Sequence, residues 1–372
     1  MKPADLTEMA KEVLRRMVFL VHGKTLFVLA VVIIAAGALV YILNQQIKIG
    51  ERDILDECRD LSIPEMQECF TEKLAVFAQE KGYRAALLAI QRAKDVRPDL
   101  YYNCHFIAHA LGQSAYAHFR DIPRTLEESE GINVCLAGYY HHTLIEYVQQ
   151  NFSALSSGQA LADKSCDVLA AAGKKQLAFD CYHGLGHGLL AANNYDLLQA
   201  LKQCDSLTNE NGRFICRGGA FMQNAMFAQG YPFFKKGDPF YPCRKVDEKY
   251  KDTCYFNAIQ QYLIESPPTQ TQGPQNKVDG GFALCREAPE KNRPHCFEGL
   301  GVFWGYGVGW DIKIMRESCL RGESFDEQKS CVIGAASRYR RMGREEFLRF
   351  CNNLPKELAA PCIESRENLY LF

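Results

Sequence analysis

The chain has no cysteine before residue 58, only two tryptophans, and almost no net charge: 43 Lys and Arg stand against 44 Asp and Glu in 372 residues. Without a positive field there is nothing to draw in a phosphate backbone, so no nucleic acid is expected as a partner. No stretch alternates apolar and polar residues over the length of a strand, which argues against a sheet-based core. Several signature motifs are also missing. There is no HExxH, hence no zinc-protease helix with its general base, no CxxCH for haem, no GxSxG and no P-loop. "GLGHGL" (184–189) follows no strand, so no nucleotide cofactor is expected.

Charge is absent from one run as well. Thr25 to Asn44 holds 20 residues with no Asp, Glu, Lys or Arg, the length of a helix that crosses a bilayer core. Its small residues, Ala35 to Ala38, lie in mid-segment and not at a cleavage position, which reads as an uncleaved anchor. Residues 1–24 carry five Lys/Arg against three acids, and residues 45–60 carry three against five. The side richer in Lys/Arg stays cytoplasmic. The expected order is a cytoplasmic segment (1–24), a transmembrane helix (25–44), a linker with a helical lead-in (45–98) and a disulfide-rich helical domain (99–372) facing the periplasm or the cell exterior.

What the chain has in abundance is cysteine, sixteen residues, all beyond the anchor. In an oxidising compartment an even, abundant set reads as a disulfide framework. From Cys166 onward they pair at short intervals: Cys166 with Cys181, Cys204 with Cys216, Cys243 with Cys254, Cys285 with Cys296, Cys319 with Cys331, and Cys351 with Cys362. The pairs recur at the period of two-helix repeats. The same short interval pairs Cys58 with Cys69, and a shared register in consecutive repeats pairs Cys104 with Cys135. The second cysteine of each pair opens a segment such as "CYHGLGHGLLAAN" or "CFEGLGVFWGYGV", and glycine stands three places on at Gly138, Gly184, Gly219, Gly299 and Gly334. Glycine inside a helix costs about 1 kcal/mol against alanine, so its recurrence predicts close backbone contact between neighbouring helices. The segments between, "YDLLQALKQC", "DIKIMRESC" and "REEFLRFC", have amphipathic helical spacing. The prediction is an all-α fold, a single transmembrane helix followed by stacked α-hairpins in a solenoid or toroid, each stapled by a bridge worth about 3 kcal/mol. The Pro- and Gln-rich stretch 267–281 is expected as a surface loop.

Through small residues at fixed register and one disulfide per hairpin, residues 100–365 resemble cysteine-rich Sel1-like and related tetratricopeptide-type repeats. That resemblance implies a scaffold role, although the Sel1 pattern of Ala, Leu-Gly and Gly is not reproduced. "CYHG" (181–184) is similar to the Cys-His-Gly zinc motif of lanthionine-cyclase-like α/α toroids. That family binds zinc through free cysteines, and the disulfide rhythm opposes this at Cys181.

Histidine is scarce, nine residues, yet seven of them fall between 105 and 187. His183 and His187 lie one helical turn apart, as do His105 and His109. His141 occupies in its segment the register that His187 occupies in the next. If equal registers align from helix to helix, His109, His141, His183 and His187 converge on one face as metal ligands, with His105, His142, Glu146 and Glu298 as further donors. Imidazole with carboxylate suits a divalent transition metal such as Zn, Cu or Fe. The plainer reading of the same residues is a hydrogen-bonded structural network. Two functions follow: a membrane-anchored extracytoplasmic protein with a His-lined metal or small-ligand site, working as a metal-dependent enzyme, or a non-catalytic scaffold that binds a protein partner on a concave face.

Overall fold

The computed structural model describes residues 32–38, 57–58, 63–96, 100–132, 138–155, 157–265, 274–307 and 311–368. Residues 32–38 form a helix with Val32, Ile33 and Ile34 exposed. The rest of the expected anchor lies outside the described residues, and no described helix is long and apolar enough to cross a membrane.

Ile63 to Phe372 is a compact unit by itself, and its described residues are helical with no strand. The helices are α1 (Ile63–Lys81), α2 (Tyr83–Val96), α3 (Leu100–Phe119), α4 (Ile122–Glu127), α5 (Gly138–Leu155), α6 (Gly158–Asp163), α7 (Cys166–Ala171) and α8 (Lys175–Ala192). They continue with α9 (Leu197–Asp205), α10 (Glu210–Phe227), α11 (Lys251–Glu265), α12 (Pro274–Glu287) and α13 (Arg293–Gly307). The last four are α14 (Ile312–Cys319), α15 (Phe325–Met342), α16 (Arg344–Asn352) and α17 (Lys356–Asn368). The long helices pack in chain order, α3 on α5, α5 on α8, α8 on α10, then α11, α13 and α15. Shorter helices α7, α9 and α14 run between them, and α16 follows α15.

Backbone contact governs this packing. A Cβ on Gly219 would sit 1.9 Å from the carbonyl oxygen of His183, and one on Gly334 would sit 1.9 Å from that of Glu298. The recurrent glycine is therefore the point where one long helix touches the backbone of its predecessor, and any side chain there would force the pair apart. The amphipathic segments become helices with Asp caps: the side chains of Asp196 and Asp311 accept from the backbone N–H of Gln199 and Ile314.

All six bridges predicted from Cys166 onward are present. Cys58 and Cys69 are each disulfide-bonded. Cys104 is buried in α3, and Cys135 lies outside the described residues. Two sequence expectations change. The second cysteines do not open their helices: α8 starts at Lys175, a turn and a half before Cys181, and α11 at Lys251 before Cys254. The described part of the expected surface loop, 274–281, is the start of α12. Proline is at home in a first helical turn, where its missing N–H is no loss. Gly281 earns its place inside α12 because a Cβ there would meet Leu300 at 2.7 Å.

Candidate metal centre

The neighbours α3, α5 and α8 each present two histidines to one locus. In α3, Nε2 of His109 is 3.0 Å from Nε2 of His105. In α8, Nε2 of His187 is 3.2 Å from Nε2 of His183. His141 of α5 lies between the pairs, stacked on His187 with ring centroids 4.0 Å apart and 5.3 Å from both His105 and His183. Two sets of ring nitrogens thus cluster within 4.8 Å: His105, His109 and His141, and then His141, His183 and His187. Either set can hold a metal ion. The i, i+4 spacing supplies each pair, and the glycine contacts bring the three helices close enough to join them.

Burial favours the neutral ring at His109, His141, His142, His183 and His187. His105, His141 and His187 are buried, whereas His109, His142 and His183 are half-buried and form the open edge of the cluster. Desolvation holds His141 well below the usual imidazole range, and the neighbouring rings of His187, His105, His183 and His109 push the same way. Burial also depresses His109 and His183, with help from His105 and His187 respectively, and His187 falls to about 4. His142 is lowered by burial against the opposing charge of Glu146. At neutral pH His109, His141, His142, His183 and His187 each offer one lone pair and one N–H.

The outer nitrogens decide where the lone pairs point. The Gln223 amide of α10 donates through Nε2 to the Tyr195 hydroxyl at 3.2 Å, which turns its Oε1 toward Nδ1 of His187 at 2.7 Å. Nδ1 of His187 therefore carries the proton, and its Nε2 lone pair faces His183. Nδ1 of His183 faces α10 near Gly218, and the backbone of Ile215 pulls weakly against the burial that lowers this ring. The two Nε2 atoms lie 3.2 Å apart: a proton on one of them makes this an N–H···N hydrogen bond, and a cation held by two lone pairs would take that proton's place. Ligands at 2.0–2.1 Å in a tetrahedron stand about 3.3–3.4 Å apart, so the spacing is that of two ligands of one ion. A ligating histidine whose other nitrogen is pinned by a carbonyl is the usual supporting arrangement. Nε2 of His141 is buried with no hydrogen-bond partner among the described residues, and so is Nδ1 of His142.

Tyr195 reaches Gln223 because α8 ends in two successive left-handed residues, Asn194 and Tyr195, with φ of 52° and 60°. Its ring stacks on Tyr231 at 4.3 Å. On another side, Arg341 of α15 pairs with Asp180 of α8 and covers the Phe179 ring. The charges of Arg341 and Arg338 add to the downward push on His183.

Of the expected donors, the structure brings His105, His109, His141, His183 and His187 together, with His142 beside His109 at 5.3 Å between ring centroids. Glu146 accepts from Gln113 at 3.3 Å and Gln150 at 2.5 Å and belongs to neither set. Glu298 lies in α13, 3.5 Å from the ring of His295, and belongs to neither set. Gln223, Tyr195 and Arg341 escaped the sequence reading. The one sign of Gln223 was an amide on the Gly- and Ala-rich face of "CRGGAFMQNAMF", which points to no particular partner. Comparison of the chain with protein-family models, with curated proteins and with solved structures finds no match.

Proposed function

We propose that this protein is an extracytoplasmic, membrane-anchored metalloprotein whose imidazole cluster binds a divalent transition metal, Zn, Cu or Fe, and acts on a small substrate. The observation that carries this reading is the pair of Nε2 atoms of His183 and His187, 3.2 Å apart with the His187 ring held by Gln223, beside the Nε2 of His141, which has no hydrogen-bond partner among the described residues. His141, His183 and His187 would hold the ion. Three protein ligands leave a coordination position open, the pattern of catalytic and not structural sites. A bound ion would supply a water acidified to near neutrality or a site for oxygen. The half-buried edge at His109, His142 and His183 gives access from solvent, while the buried floor under His141 and His187 keeps the donors neutral and oriented. Gln223 holds the proton of His187 on Nδ1 and away from the ion.

The uncharged run Thr25–Asn44, the Lys/Arg bias before it and six disulfides after it support the anchored, extracytoplasmic placement. The recurrence of cysteine and glycine registers supports a repeat solenoid as the scaffold. Metal analysis of the full chain purified in detergent tests the function. The expected result is stoichiometric metal, strongly lowered in His187→Ala, and a melting temperature that falls on chelation. Protein that purifies without metal, and whose melting ignores chelator and added Zn, Cu or Fe, would reduce the histidines to a hydrogen-bonded network. The function would then be that of an interaction scaffold. Protease added to spheroplasts tests the topology: residues 45–372 should be digested, and full protection would overturn the orientation.

A further inference from the structure

Resting on the metal-centre reading, we propose that the centre is dinuclear: His105 and His109 hold one ion, His183 and His187 hold a second, and His141 lies between as the shared ligand. The ring nitrogens that cluster within 4.8 Å fall into two triples and not one set of five. Nitrogens bound to a single ion at 2.0–2.1 Å lie no more than about 4.2 Å apart, so five imidazoles in this arrangement exceed what one ion gathers. Both triples have the same construction. An i, i+4 pair from one helix, with facing Nε2 atoms at 3.0 Å in α3 and 3.2 Å in α8, is completed by one ring from α5.

That ring is His141. It is buried, its Nε2 has no hydrogen-bond partner among the described residues, and it stands 5.3 Å by ring centroids from both His105 and His183. A second buried nitrogen without a partner among the described residues, Nδ1 of His142, lies on the His109 side but belongs to neither triple. A neutral imidazole binds one ion through its single lone pair. To serve two, His141 loses its N–H proton to solvent and binds through both nitrogens as imidazolate. Metal binding in general releases protons from its ligands, and here the charge of two cations on one ring, which a single ion does not supply, removes this second proton. Sets made of imidazole alone suit Cu, Zn, Fe or Ni and select against Mg and Ca, which prefer oxygen.

The test is titration of chelator-stripped full-length protein in detergent with Cu(II), followed by metal counting and electron paramagnetic resonance. Two copper ions should bind per chain, with a signal well below two spins because the shared imidazolate couples them. A His105→Gln/His109→Gln variant should keep one ion and show an ordinary single-copper signal of full intensity. His183→Gln/His187→Gln should do the same from the other side. One ion per chain in the unaltered protein would overturn the dinuclear proposal and leave the metal centre standing. No bound ion would overturn both. Two ions with full, uncoupled intensity would overturn the role of His141. The count on the unaltered chain decides even if a variant fails to fold.

Discussion

Arg341 and Asp180 stand 161 residues apart in the chain and meet in an ion pair. The contact joins the last long helix, α15, to the first turns of α8, three residues before His183. The Asp180 carboxylate is only 3% exposed and also accepts from Gln176 at 2.9 Å. Removing the arginine leaves that carboxylate buried with one weak donor. Arg341→Met should lower stability by about 2 kcal/mol, below the range for fully buried pairs because the arginine is partly solvated. The double variant Asp180→Asn/Arg341→Met should recover part of the loss. Urea denaturation of the three proteins checks this, and equal losses in the single and double variants would show that the pair is not coupled.

Gln223 acts on the centre through His187. Gln223→Leu removes the acceptor for the Nδ1 proton, so the ring can place its proton on Nε2 instead. Metal affinity should fall about 10- to 100-fold, with the fold retained by circular dichroism. Tyr195→Phe removes the hydroxyl that orients the amide and should show a smaller drop in the same direction. A competition titration with a coloured chelator measures both, and unchanged affinity in Gln223→Leu would remove the amide from the site.

Two adjacent glycines in α10 should respond oppositely. A Cβ on Gly219 would fall 1.9 Å from a backbone oxygen, whereas one on Gly218 would meet nothing closer than 3.9 Å. Gly219→Ala should destabilise by about 2–3 kcal/mol through forced separation of α8 and α10, and metal should bind less well. Gly218→Ala should stabilise by up to about 1 kcal/mol through helix propensity. Thermal melts of the pair separate packing from propensity, since a propensity effect alone would raise both.

The metal-stripped protein should lose stability in acid. Burial lowers His187 from 6.5 to about 4 in the folded chain, so between these values the unfolded chain holds more protons than the folded one. Stability is therefore complete above pH 6.5 and declines as pH falls toward 4, by about 3 kcal/mol for this ring alone. His187→Gln should flatten the slope of stability against pH between 6.5 and 4. An equal slope in the variant would assign the acid loss to other groups.

The cysteine intervals and the glycine register were legible in the one-dimensional chain because both are local. A bridge of 11 to 15 residues closes between one short segment and the long helix that follows it whatever the rest does. A glycine at constant register likewise repeats one contact between neighbours. The five clustered histidines were legible for the same reason, since register carries position from helix to helix. Helix starts were not, because a cysteine marks where a bridge anchors and not where hydrogen bonding begins: α8 gathers Lys175 to Asp180 ahead of it. Nor was the helix at 274–281, where packing against Tyr262 and Leu300 overrides the poor propensity of Gly280 and Gly281.

By itself the sequence determined an all-α, disulfide-stapled domain and a set of imidazoles one turn apart on successive helices. Only the tertiary structure decided which nitrogen of each ring faces inward. It also decided that Gln223 pins His187, that Glu146 and Glu298 stand outside the cluster, and that Arg341 reaches back to Asp180. The physical reason is that covalent spacing and helical period act within a few turns. A tautomer, an ion pair across 161 residues and the burial that neutralises a ring depend on how separate helices meet, which no local pattern encodes.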